Sequence, residues 1–285
     1  MPDPTDKVVL HARDVRFDWS TVPAHWLPGE PVASHAMNTL HLVLPEGERW
    51  FVRVFKQALP HIRDEELRAD VLGFIGQEAM HAEAHQGAAD HLAAQGLDPA
   101  PFVAQIEWLF RSLLGDRDLT GPAEHQWLLE RLSVIAAIEH FTAVLGHWVL
   151  TAPLESAGAD PTMLDLLRWH GAEEVEHRSV AFDLYMHLDG RQGRRLRAMV
   201  IVGPLLMWML VRCTRWLLAH DPQRPERPRW RDYRRLARRG LLPGPRELLP
   251  AFWRYLPRSY HPRDEGSTEL AVAYLASSPA AKAAG

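Results

Sequence analysis

The chain has one cysteine, Cys213, among 285 residues. A single thiol excludes an intrachain disulfide and every cysteine-based zinc or iron–sulfur motif. It also fits a reducing, cytoplasmic compartment. Long hydrophobic runs are scarce. The apolar stretch 198–211 carries no charge, but its 14 residues fall short of the roughly 20 needed to cross a bilayer as a helix. The N-terminus lacks a basic region followed by an apolar run, so no signal peptide is expected. No internal repeat of 20–50 residues occurs. Arginines are dense around 229–239, but no recognition motif accompanies them, so nucleic acid is not an expected partner.

What is present is a globular composition, 47% hydrophobic and 24% charged. The 16 histidines and 11 tryptophans are many for this length. Charge is unevenly spread: residues 1–190 carry 13 Lys+Arg against 29 Asp+Glu, and residues 191–285 carry 19 against 7. The basic C-terminal third is therefore expected to meet something anionic, either a membrane surface or the acidic remainder of the chain.

The pattern is all-helical. Residues 1–45 read as an irregular arm, with Val8–Phe17 extended or wrapped on the body. Helices are expected from Pro45 or Glu46 to Leu59, from an Asp64 cap to Gln95, and from Pro99 to Leu114. Two more run from Ala123 to Leu150 and from an Asp160 cap to Leu188. Residues 46–190 would then form a four-helix bundle whose halves are joined by one long crossover. Residues 191–285 would be a basic extension packed on it. That extension holds an apolar segment interrupted at Gly203-Pro204 and short helices near 230–239, 245–255 and 267–276.

Two copies of one word, Glu-x-x-His, carry the chemistry: Glu78-Ala79-Met80-His81 and Glu174-Val175-Glu176-His177. On a helix, positions three apart share a face, so each word aims a carboxylate and an imidazole at one point. Each word has an isolated acid on the preceding helix, Glu48 and Glu139. Glu48 and Glu78 lie equally far from residue 63, about 22 Å along a helix axis. Glu139 and Glu174 are equidistant from a point in the 153–160 loop. Two helical hairpins would thus bring all six residues to one level, the arrangement of a two-metal carboxylate site. Glu139 stands among Val134, Ile135, Ala136, Ala137 and Ile138, and a carboxylate facing a core needs a partner.

Glu48, Glu78 and His81 are expected around one metal, and Glu139, Glu174 and His177 around the other, with Glu78 and Glu174 bridging. His85 and His170 fall on the same face as extra ligands or as groups that orient one. Glu173 and Glu176 read as solvated acids. His140 should face elsewhere, and Trp50, Trp169 and Tyr185 should pack. Four carboxylates and imidazoles without a thiolate suit iron, with manganese, a mixed manganese–iron pair or zinc as alternatives.

At these residues the chain resembles the ferritin-like di-iron carboxylate superfamily. More narrowly, Gly76–His81, Ile138–Ala143, Glu173–Asp183 and Tyr260-His261-Pro262 resemble a bacterial family known as "predicted metal-dependent hydrolase". The superfamily resemblance implies a di-iron oxidase or oxygenase, taking O2, an electron donor and an apolar, lipid or fatty-acyl substrate. The alternative is a hydrolase in which two metals activate water. The basic segment 191–240 could add a peripheral membrane contact, and a second copy of the chain is a further candidate partner.

Overall fold

A computed structural model describes residues 8–223, 225, 226 and 228–284. The first seven residues of the expected arm, and Arg224 and Arg227 of the Arg-rich segment, lie outside the described residues. Among the described residues there are helices and loops but no strand. Four long pieces form the body: α1 (Pro31–Ala58), α2 (Glu65–Ala94), α4 (Pro122–Thr151) and α5 (Pro161–His177). α1 packs on α2, α4 on α5, α1 on α4 and α2 on α5, which closes a ring of four. Short connections make each pair a hairpin. Asp64 caps α2 by accepting from the amides of Glu66 and Leu67, and Asp160 caps α5 through Thr162 and Met163.

α3 (Ala100–Trp108) continues into a π-helical turn, Leu109–Leu113, and crosses between the halves against α1. α6 (Val180–Leu188), α7 (Gln192–His220), α8 (Trp230–Arg238), α9 (Pro245–Arg254), α10 (Thr268–Leu275) and α11 (Pro279–Ala284) wrap the outside. α7 lies on α1 and α4, and α10 lies on α5. Glu30, just before α1, ties α8 down: Arg235 donates to both its oxygens at 2.7 Å, and Arg239 joins it.

Three expectations are corrected. The arm is shorter than 1–45, because α1 begins at Pro31 and carries Pro45 inside it. An internal proline forfeits one backbone bond, at a cost of about 3 kcal/mol. Burial of Val32, Ala33, Met37 and Leu42 ahead of it offsets that cost. Gly203-Pro204 likewise fails to interrupt α7, which is continuous over 29 residues. Gly203 is a contact point: a Cβ there would stand 3.1 Å from Phe252 Cδ2 and 3.5 Å from Phe141 Cζ. Arg194, Arg195, Arg197, Arg212 and Arg215 belong to this helix, so α7 is longer than its charge-free run. With α4 it is long and apolar enough to cross a membrane by length and composition alone. Finally, the helix expected to reach Leu188 unbroken breaks at Arg178-Ser179, directly after His177.

Residues 10–19 lie along α2 as an arm wrapped on the body. A Cβ on Gly73 would meet Leu10 Cβ at 2.5 Å, so only glycine lets the arm approach there. Two apolar clusters bracket the centre of the ring. On α4 one takes Leu128–Ala136 and the other takes Val149. Glu139 stands at the level between them.

Candidate metal centre

All six expected residues converge. Donor atoms of Glu48, Glu78 and His81 lie within 4.8 Å of one another, as do those of Glu78, Glu139 and His177. Glu174 spans both sides: Oε1 is 3.4 Å from His81 Nδ1, and Oε2 is 3.4 Å from His177 Nε2. Glu78 Oε1 also faces both rings, at 3.7 Å from His81 Nδ1 and 3.3 Å from His177 Nε2. Both carboxylates therefore face the His81 ring and the His177 ring at once.

The two extra histidines separate. His170 Nε2 is 2.8 Å from Glu174 Oε1 and 3.6 Å from Glu48 Oε1, so this ring turns a nitrogen into the cluster. His85 has both nitrogens engaged elsewhere, Nε2 with His170 Nδ1 at 3.1 Å and Nδ1 with His41 Nδ1 at 2.8 Å. His85 orients His170 in this geometry, although its ring also lies near Glu48.

Whether these residues suit a cation can be tested on the atoms that lack a partner. Buried donors and acceptors in a folded chain are almost always paired. Here Glu48 Oε1 and Oε2, Glu78 Oε1 and Oε2, His81 Nδ1, Glu139 Oε2, His170 Nε2, Glu174 Oε2 and His177 Nε2 are buried with no hydrogen-bond partner. All nine face one space, and one or two cations would satisfy them together.

Electrostatics lead to the same place. Burial, and then the charge of Glu78, holds the Glu48 carboxyl well above the usual carboxylate range. Burial and Glu174 push Glu139 up to about 8. Burial disfavours charge on His81 and His177, yet the surrounding carboxylates hold both well above the ordinary imidazole value. Without a metal, the cluster gathers protons to offset four carboxylates. A divalent cation does the same without a proton.

Around the donors runs a second circuit. His81 Nε2–H donates to Glu173 Oε2 at 2.9 Å. Arg13, from the arm, donates to Glu173 at 2.5 Å and to Glu176 at 2.9 Å. Gln77 donates to Glu176 at 3.1 Å and accepts from His177 Nδ1–H at 3.1 Å. Both word histidines are thus fixed, ring by ring, through one hydrogen-bonded loop.

Glu173 and Glu176 are therefore not the solvated acids expected: their side chains are 0% and 2% exposed. Nor does Trp169 only pack, since its indole N–H donates to Glu173 at 3.1 Å. Arg13 and Gln77 join the circuit although neither is among the expected site residues. Gln77 precedes a word residue and Glu173-x-x-Glu176 is an i,i+3 pair, but Arg13 is 160 residues away and leaves no local signal. His140 does face elsewhere, toward Tyr260 Oη and the Ala251 carbonyl. Trp50 donates to the Leu114 carbonyl, and Tyr185 bonds Asp189 and the Arg191 carbonyl, both away from the cluster.

A cleft of about 180 Å³ reaches this centre from outside. Glu174 and His170 are part of its lining, and Leu40, Phe141, Leu206 and Leu210 make its walls apolar. Beside it α4 and α5 nearly touch. A Cβ on Gly146 would lie 2.5 Å from Gly171 O, and one on Gly171 would lie 2.6 Å from Val149 Cγ1.

No curated protein and no solved structure gives a match. Residues 11–266, nearly the whole of the described chain, match the family described as "Predicted metal-dependent hydrolase". On that match the chain belongs to the predicted metal-dependent hydrolase family.

Proposed function

We propose that the chain is a two-metal enzyme of ferritin-like build that hydrolyses a substrate with an apolar portion. The carrying observation is the set of nine unpartnered, buried donor atoms at the inner end of an apolar cleft. Glu48, Glu78 and His81 would hold one metal, and Glu139, Glu174, His177 and Glu78 the other. His170 adds a seventh donor residue on the cleft side. Bound there, two metals would supply Lewis acidity and a water made nucleophilic at neutral pH.

The protein's own groups do the rest. Apolar walls hold the substrate's hydrocarbon and exclude bulk water. Thr142, at the cleft lining, donates to the Glu139 carbonyl at 3.1 Å and fixes that turn of α4. Glu173 and Gln77 keep the His81 and His177 rings in one tautomer, with the remaining nitrogen turned inward.

A second reading is oxidative, with O2 and an electron donor at an iron pair. The donor set is compatible with it: four carboxylates and three imidazoles, with no thiolate, suit iron or manganese. Metal analysis combined with two assays separates the readings. About two metals per chain and turnover of acyl esters without O2 uptake supports hydrolysis. O2 uptake by the reduced iron form, with no ester turnover, would put the second reading in its place. A protein that binds no metal refutes both.

A further inference from the structure

Most of the outer face of α7 has no use in the site described so far. Val200, Ile201, Leu205, Met207, Trp208 and Val211 are all 40–58% exposed. They extend about 17 Å along one helix at 1.5 Å per residue. α9 adds Leu249 at 58% and Trp253 at 63% exposure. The two helices meet where Phe252 faces Gly203. Scattered exposed apolar residues are ordinary, but a contiguous patch of this kind marks a contact surface.

We infer that this α7–α9 face seats on an anionic lipid bilayer and turns the mouth of the cleft toward the acyl region. The inference rests on the proposed function for the purpose of the cleft. Three observations select a bilayer as the occupant. First, charge brackets the patch: Arg212 and Arg215 follow it and Arg246 stands on α9, while Arg197 before it and Arg254 on α9 are ion-paired with Glu130 and Glu265. The C-terminal third as a whole carries 19 Lys+Arg against 7 Asp+Glu. Arginines beside an apolar helix face, with tryptophan among the exposed rings, match the boundary between headgroups and acyl chains.

Second, the same helix forms both patch and cleft. Met207 and Val211 are exposed outside and also line the cleft, with Leu206, Leu210 and Leu248 behind them. An apolar chain moving from the patch to Glu174 and His170 would not need to cross water.

Third, length favours lying flat. The charge-free part of α7 is about 21 Å long, against about 30 Å of bilayer hydrocarbon, and arginines stand at both of its ends. Its buried side is committed to the protein, through Ala198, Met199, Val202, Met209 and Cys213. A helix held in this way contacts a membrane from one side.

Flotation of the full-length protein with vesicles tests this. Wild type is expected to bind vesicles containing phosphatidylglycerol, to bind pure phosphatidylcholine more weakly, and to release as salt rises. A triple variant, Ile201→Asp with Trp208→Asp and Trp253→Asp, changes only exposed side chains. It is expected to partition roughly tenfold less or worse, with unchanged helicity and metal content. Wild type that binds neither vesicle overturns the inference, and so does a variant that binds as wild type does. So does a wild-type dimer that the triple variant converts to monomer, since a second copy would then cover this face. Metal content is measured separately. Two metals without vesicle binding refutes the docking surface alone, and vesicle binding without metal refutes the proposed function alone.

Discussion

Glu173→Gln isolates the hydrogen-bonded loop from the donor atoms themselves. Glu173 receives His81 Nε2–H at 2.9 Å, Trp169 Nε1–H at 3.1 Å and Arg13 at 2.5 Å, with its side chain fully buried. Its carboxyl is held below the usual range because His81 and Arg13 outweigh the cost of burial. The amide is nearly isosteric but neutral, and it must turn an NH2 toward a group that is itself a donor. Removing one charge of a buried pair costs about 3–5 kcal/mol. Arg13 keeps Glu176, so the low end is expected. Released from Glu173, His81 no longer has its inward nitrogen fixed. Partners of this kind contribute about 10–100-fold to metal affinity, or about 1.4–2.8 kcal/mol. The assay is competition with a chelator of known affinity, alongside urea unfolding. Glu83→Gln serves as control, because Glu83 lies on the same helix as His81 with its side chain 68% exposed. A folded Glu173→Gln protein whose metal affinity stays within about twofold of wild type would refute the reasoning.

Four further outcomes are expected. His170→Ala should weaken metal binding more than His85→Ala, since His170 turns a nitrogen into the cluster while both His85 nitrogens are engaged by other rings; the same competition assay ranks them. Gly171→Ala should destabilise by about 1–3 kcal/mol in urea, because its Cβ would sit 2.6 Å from Val149 and 3.0 Å from the Gly146 backbone. Stripping the metals should lower the unfolding midpoint, since about 2.7 kcal/mol is lost when a ligand present at 100 times its Kd is removed; an unchanged midpoint in calorimetry contradicts the site. Burial works against the Glu46 carboxylate, but Arg111 and Arg53 hold it below the usual range. A depressed acid stabilises above its unfolded value and loses that contribution as pH falls through the folded one. The stability difference between wild type and Glu46→Gln should therefore be full at pH 7 and vanish on acidification below about pH 4.

The helical class and the six word and partner residues were legible because both are local or hairpin-related. Caps at Asp64 and Asp160 fix two turns, and equal distance from a turn is enough to bring Glu48 to Glu78. Features set by tertiary packing were not legible. Pro45 and Gly203-Pro204 look like breaks in sequence, yet each lies inside a helix that its neighbours hold together. Glu176 looks like a surface acid until Arg13 arrives from the arm. The two extra histidines were indistinguishable by spacing, since both fall on the right face. What separates them is His41, a ring on another helix that occupies His85's free nitrogen.

That ring makes a row of three: His170, His85 and His41, each in contact with the next through nitrogen. Burial lowers the proton affinity of all three, His41 to about 3, so each is neutral and carries one proton. Every contact needs one donor and one acceptor. The row therefore has only two consistent orders, with all its protons directed one way or all the other. A cation on His170 Nε2 permits only the order that leaves Nε2–H on His41. Occupancy of the centre is thereby written on a nitrogen two rings away, where 15N chemical shifts can read it without touching the metals.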